Sequence, residues 1–131
     1  MCGQRILRKS VTFSLDTLPQ EYTAYGNGDY RINGLEVEQA DGSDTANLKF
    51  ESYKITKGKY SLKGLPAMFA KEDEAETLEI VLADRVSGLK AHLLYSVFPH
   101  LDVITRAVRL EQTGETPVTV KKAMSMEMDF E

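Results

Sequence analysis

Apolar and polar residues alternate with period two along most of this chain. Val11-Thr-Phe-Ser-Leu15 sets Val11, Phe13 and Leu15 on one side and Thr12 and Ser14 on the other, the pattern of a half-buried strand. Leu35 to Gln39 repeats it, with Leu35 and Val37 facing in and Glu36 and Glu38 facing out. Asp41-Gly42-Ser43 is a turn signal, after which Leu48 and Phe50 resume the inward row. These two stretches are expected to form a hairpin. Tyr53 and Ile55 fall on the opposite parity, which predicts a bulge or face switch near Ser52.

The second half is more regular. Thr77 to Asp84 puts Leu78, Ile80 and Leu82 on one face, and Leu89 to Phe98 puts Leu89, Ala91, Leu93, Tyr95 and Val97 together until Pro99 stops the strand. Asp102 to Gln112 aligns Ile104, Val108 and Leu110, with Arg106 breaking the apolar row. Gly114 marks a short connection, and Pro117 to Phe130 aligns Val118, Val120, Met124, Met126, Met128 and Phe130. These four consecutive strands predict an antiparallel meander, and the methionine row is expected to be sheet core or a domain interface.

Between the strands lie three kinds of connection. Leu18 to Arg31 combines Pro19, Gly26, Asn27 and Gly28 with Tyr22, Tyr25 and Tyr30, a loop with aromatic bodies to pack and hydroxyls to pair. Lys57-Gly58-Lys59 reads as a polar turn, and Leu62 and Leu65-Pro66 as an extended connection. Lys71 to Glu76 has helix-forming residues but no apolar stripe, so it is read as a solvated turn entering a strand. Residues 1–10 are a first strand or a frayed end. The fold class expected is all-β, an antiparallel β-sandwich forming one domain over residues 1–131. Long amphipathic helices are missing, which excludes a doubly wound α/β fold.

Composition narrows the function rather than naming it. A net charge of −4 lacks the clustered cations that phosphate backbones need, so no nucleic-acid partner is expected. No apolar run approaches a membrane helix, so no membrane partner is expected. One cysteine, Cys2, allows neither an internal disulfide nor a cysteine zinc site, and fits a cytoplasmic setting. The first residues hold no apolar signal core. The apolar row at Met124 to Phe130 ends without a polar tail, as expected of a chain cut from a longer one.

Candidate chemistry is sparse. His92 and His100 belong to no metal or nucleophile motif and are read as non-catalytic. Glu72, Asp73, Glu74 and Glu76 form a charge run of the kind that is solvated, and no glycosidase carboxylate pair is nominated. Asp16 and Asp102 are turn or cap residues. The Gly26-Asn-Gly-Asp29-Tyr-Arg31 loop lacks the spacing and the following helix of a phosphate cradle. Asp29 and Arg31 are expected to fix this loop by hydrogen bonds. Tyr25, Asp29, Tyr30 and Arg31 are the candidate ligand-rim residues; no catalytic residue, metal ligand or cofactor is assigned.

Leu18-Pro-Gln-Glu-Tyr22, Tyr25-Gly-Asn-Gly-Asp-Tyr-Arg31 and Val37-Glu-Gln-Ala-Asp-Gly-Ser43 resemble the N-terminal domain of bacterial α-galactosidases of glycoside hydrolase family 36. The likeness continues through Lys57-Gly-Lys59, Gly64-Leu-Pro-Ala67, Glu74 to Leu82, Asp102-Val-Ile-Thr-Arg106 and Ala123 to Phe130. In one place it departs: Ile32-Asn33-Gly34 stands where the family usually carries a proline.

The resemblance implies part of a galactose-mutarotase-like β-supersandwich, with the catalytic (β/α)8 barrel and its two aspartates absent from these residues. It implies a parent that hydrolyses terminal α-galactosyl residues with retention. In that parent this piece would scaffold the barrel, join subunits of a homo-oligomer and touch galactoside at the rim, inactive by itself. Two alternatives stand beside it. One is a stand-alone β-sandwich sugar-binding module acting through Tyr22, Tyr25 and Tyr30; the other is a self-associating interaction module.

Overall fold

A computed structural model describes residues 19–26, 28–64, 70–71 and 73–128. The strand expected at Val11 to Leu15, the Leu65-Pro66 connection, and Cys2, Asp16 and Phe130 lie outside them. The described residues hold six strands: β1 Leu35–Gln39, β2 Lys49–Lys57, β3 Glu76–Ala83, β4 Leu89–Phe98, β5 Val103–Gln112 and β6 Val118–Ala123. All pair antiparallel, β2-β3-β4-β5 in one sheet and β1-β6 in the other. The fold is all-β, as the alternation requires.

The four-stranded sheet buries β4 on both faces, with Leu94, Ser96 and Phe98 on one and Leu89, Ala91 and Leu93 on the other, while its β2 edge is exposed. Tyr53, Ile80, Leu93 and Val108 are cross-strand partners in a row, and Phe50, Leu82, Ala91 and Leu110 form the next. Leu35 and Val37 of β1 bury against Leu89, Ala91 and Leu93 of β4, with Tyr22, Ala24 and Ala46 closing the cluster. Residues on this seam lose nearly all contact with water; Leu35, Ala91 and Leu93 are 0% exposed. Each such large aliphatic contributes about 1.5–3 kcal/mol of burial.

Local signals are where the sequence placed them. The irregularity near Ser52 falls between Phe50 and Ser52, where Glu51 is the extra residue opposite Leu82 and Val81. Phe98 is the last residue of β4, before Pro99, and Asp102 turns the chain into β5 with a φ of 51°, an angle Asp tolerates. Asp73 and Glu74 lie in a turn ahead of β3, where the Glu74 N–H donates to the Lys71 carbonyl at 3.1 Å, and Glu76 opens the strand.

Three expectations are corrected. β1 and β2 do not form a hairpin: β1 pairs with β6, and β2 with β3. The Asp41-Gly42 turn does form, since the Gln39 N–H donates to Ser43 O and the Ser43 N–H to Asp41 Oδ1. The chain beyond it is then captured elsewhere, because the Ala46 N–H donates to Tyr25 O and the Asn47 N–H to Asp84 Oδ2. Second, the meander is β2 to β5. β6 leaves it for the other sheet after Pro117, which has no N–H to give a neighbour. Third, β6 stops at Ala123, so the methionine row is not a strand; Met126 and Met128 are 51% and 58% exposed.

Candidate functional site

The tyrosine and glycine loop is folded by pairing with β1. The Leu35 N–H donates to Thr23 O at 3.0 Å, and the Tyr25 N–H to Leu35 O at 3.2 Å. Tyr22, Thr23 and Ala24 are thereby buried. Gly26 then turns the chain with a φ of 99°, tight against Thr45: a Cβ there would sit 2.4 Å from Thr45 Oγ1. The Tyr22 hydroxyl donates to Met124 O at 3.1 Å, and the Thr23 hydroxyl lies 2.8 Å from both Glu127 carboxylate oxygens. The segment after β6 is thus clasped to the loop.

Asp29 and Arg31 hold each other, as the sequence suggested. Arg31 Nε lies 2.9 Å from Asp29 Oδ1 and Nη2 lies 2.7 Å from Oδ2, a two-pronged ion pair on a carboxylate that is 6% exposed. The Arg31 N–H and Gln20 Nε2 also donate to it. The guanidinium hydrogen bonds hold the Asp29 carboxyl below its ordinary value, against the opposing effect of burial.

The four candidate rim residues do not share one site. Tyr25 and Arg31 line a cleft of about 320 Å³ together with Asn33, Glu36, Val37, Asp44 and Lys121. Asp29 lines a second cleft, of about 420 Å³, with Gln20, Tyr22 and Asn47. Tyr30 is 89% exposed and lines neither. Sequence reasoning missed Asn33, Glu36, Asp44 and Lys121. The Ile32-Asn33-Gly34 departure was a signal for the first, but the other three depend on β6 lying beside β1.

A longer groove of about 840 Å³ runs past Pro19, Glu21, Tyr95, Ile104, Arg106, Met126 and Met128. Arg106 organises it: Nη1 donates to Glu127 O and Nη2 to Glu21 O, while the guanidinium lies 5.1 Å from the centre of the Tyr95 ring. The Tyr95 hydroxyl donates to the Glu21 carboxylate. Burial and that carboxylate push the Tyr95 phenol well above its ordinary value of 10.0.

His92 sits on the other face of the large sheet. Its Nδ1 lies 2.7 Å from Glu79 and its Nε2 2.8 Å from Glu111, with Arg109 3.0 Å from the same Glu79 oxygen. The two nitrogens engage separate carboxylates across β3, β4 and β5, a geometry for cross-strand pairing rather than for a shared metal. Among the described residues no cluster of His, Cys, Asp and Glu is arranged to hold a metal ion.

Residues 3–131 match the model of the glycosyl hydrolase family 36 N-terminal domain. The chain belongs to that family. It is 51% identical over 119 residues to the bifunctional alpha-galactosidase/sucrose kinase AgaSK of Mediterraneibacter gnavus, covering 91% of this chain and 13% of that protein. It is 47% identical to the alpha-galactosidase AgaA of Geobacillus stearothermophilus over 91% of this chain and 16% of that one. The crystal structure of the family 36 alpha-galactosidase AgaB from the same organism superposes with a TM-score of 0.85 at 48% identity, over 88% of this chain and 16% of the other. This family 36 domain thus spans about a sixth of the chains it matches.

Proposed function

We propose that these residues are the N-terminal part of an α-galactosidase that hydrolyses terminal α-galactosyl groups of melibiose or raffinose type. The observation that carries this reading is the match over nearly all of this chain to only a sixth of proteins named as alpha-galactosidases. In the parent, this domain is a non-catalytic scaffold for the barrel and for contacts between subunits, working in the cytoplasm. The loop with Tyr25, Asp29, Tyr30 and Arg31 meets galactoside at the rim. The locked Asp29–Arg31 pair supports that role, because it gives the loop one shape before any ligand arrives.

An antibody raised against this chain tests the reading in the source cells. A band several times heavier than 14.7 kDa is expected, with α-galactosidase activity that co-purifies with it. The 131-residue chain alone is expected to hydrolyse no α-galactoside. A band at 14.7 kDa would favour the sugar-binding or self-associating module instead.

A further inference from the structure

Among the described residues, the face of the large sheet that packs on β1 is covered at one end only. Leu89, Ala91 and Leu93 of β4 are buried there with Leu35, Val37 and Tyr22. Further along the same face Tyr95 is half-buried and Val97 is 42% exposed. Ile104, the cross-strand partner of Val97, is 68% exposed. This end of the face opens into the 840 Å³ groove, whose wall holds Ile104, Met126 and Met128. Contiguous apolar surface of this kind marks a place where something docks.

The path of the chain points to what that is. Read backwards, Tyr22 lies in the core, and the Glu21 carbonyl accepts a hydrogen bond from Arg106 Nη2 at 2.8 Å. Pro19, where the described residues begin, stands in the groove wall. The alternating row Val11, Phe13 and Leu15 ends four positions before it, with Thr12 and Ser14 on the opposite parity. Four extended residues reach up to about 14 Å and a five-residue strand spans about 16 Å, whereas Tyr95 to Val97 advances only about 7 Å. The row is therefore within reach of the open end and long enough to cross it. The other apolar stretch outside the described residues, Leu65-Pro-Ala-Met-Phe69, belongs to a loop tied to the opposite face. Its two sides meet where the Gly58 N–H donates to Ala75 O at 2.7 Å, and the Thr77 hydroxyl donates to Gly58 O at 2.6 Å.

We propose that residues 11–15 occupy the groove in extended form, with Val11, Phe13 and Leu15 on Val97, Ile104 and Met126, and Thr12 and Ser14 toward water. The occupant is this chain's own segment rather than a second copy. The segment covers the open end of the face as β1 and Tyr22 cover the other. The inference does not depend on the activity proposed for the parent.

The test is nuclear Overhauser spectroscopy on the 131-residue chain with labelled methyl groups, at a concentration where sedimentation shows the monomer. The Phe13 ring is expected to give cross-peaks to the methyls of Ile104 and Met126. In a mixture of labelled and unlabelled chains these are expected to arise within one chain. Oxidation by hydrogen peroxide, followed by mass spectrometry, gives a second readout. Phe13→Asp is expected to speed oxidation of Met126 and Met128 at least threefold, and the control Val86→Asp to leave it unchanged. Cross-peaks from Phe13 to Phe50 or Tyr53 instead, or cross-peaks only between chains, would overturn the proposal. So would unchanged methionine oxidation in a folded Phe13→Asp chain. The wild-type cross-peaks decide the matter even where that variant does not fold, and their absence would overturn the proposal as well.

Discussion

The Glu127 carboxylate accepts the Thr23 backbone N–H at 3.0 Å and lies 2.8 Å from the Thr23 hydroxyl, joining residues 104 positions apart. Thr23 is 1% exposed, so nothing in solvent replaces that acceptor. Glu127→Ala is expected to lower stability by about 1–3 kcal/mol, the cost of leaving a buried donor unpaired. Glu127→Gln, which keeps one oxygen, should lose less. Urea denaturation checks this: an E127A midpoint matching that of the exposed-site variant Glu115→Ala would show the clasp to be idle.

Asp29 sets a dependence on acid. Its folded carboxyl lies below the ordinary 3.8, first because Arg31 hydrogen-bonds it. The unfolded chain then binds the proton more tightly than the folded one. The stabilisation is complete above the unfolded value and is lost as pH falls from about 5 through the folded value. Asp29→Asn should be less stable at neutral pH and flatter on acidification. Denaturation curves at neutral and acid pH that shift in parallel for the two proteins would refute this.

Tyr22 sets the opposite dependence. Burial pushes its phenol from 10.0 up to about 12; Arg106 opposes the rise and Glu127 adds to it. A raised value means stability that is complete below 10.0 and lost as pH climbs toward about 12. Tyr22→Phe removes the bond to Met124 O and should cost about 1 kcal/mol at neutral pH. It should also lose less stability in strong alkali than the wild type. Tyrosinate absorbance and thermal unfolding, followed together across that range, report both effects.

Two glycines with similar backbone angles should respond differently. Gly88 has a φ of 75° and Gly42 a φ of 84°. A Cβ on Gly88 would meet Gly114 N at 2.5 Å, whereas nothing lies within 4 Å of one on Gly42. Gly42→Ala carries only the left-handed penalty, about 1 kcal/mol. Gly88→Ala adds a backbone collision between the two connections and should lose clearly more. Equal losses in thermal unfolding would contradict the close approach of Gly88 and Gly114.

Strand β2 leaves Phe50, Tyr53 and Ile55 each more than 60% exposed, on a strand that is the edge of its sheet among the described residues. The isolated chain is expected to self-associate as its concentration rises. Changing Phe50 and Ile55 together to Lys should suppress this with little effect on folding. A monodisperse wild-type monomer at high concentration in light scattering would count against it.

How much of this was legible depends on distance along the chain. β3, β4 and β5 follow one another with short turns, so alternation gave both the strands and their neighbours. The bulge at Glu51 was visible because Phe50 and Tyr53 break parity within one strand. The Asp29–Arg31 pair was visible because it spans two positions. Alternation in Leu35–Gln39 says which side faces the core but not which strand lies alongside, so β6 as its partner was hidden. The cleft at Asn33 and Lys121 was hidden with it. Tyr30 shows a further limit: an aromatic ring in a turn reads as a packing residue, yet this one points to solvent.

The pairing of β1 with β6 also fixes an order of events during synthesis. The ribosome delivers Leu35–Gln39 some eighty residues ahead of their partner Val118–Ala123. β2 to β5 can meet as they emerge, each beside a neighbour just made. Leu35 and Val37 can find Leu89, Ala91 and Leu93 of β4 in that interval, but the β1 edge that β6 will pair stays open. Within these residues the small sheet therefore closes after the large one, and the open edge of β1 is the place for a chaperone or a wrong strand until β6 arrives.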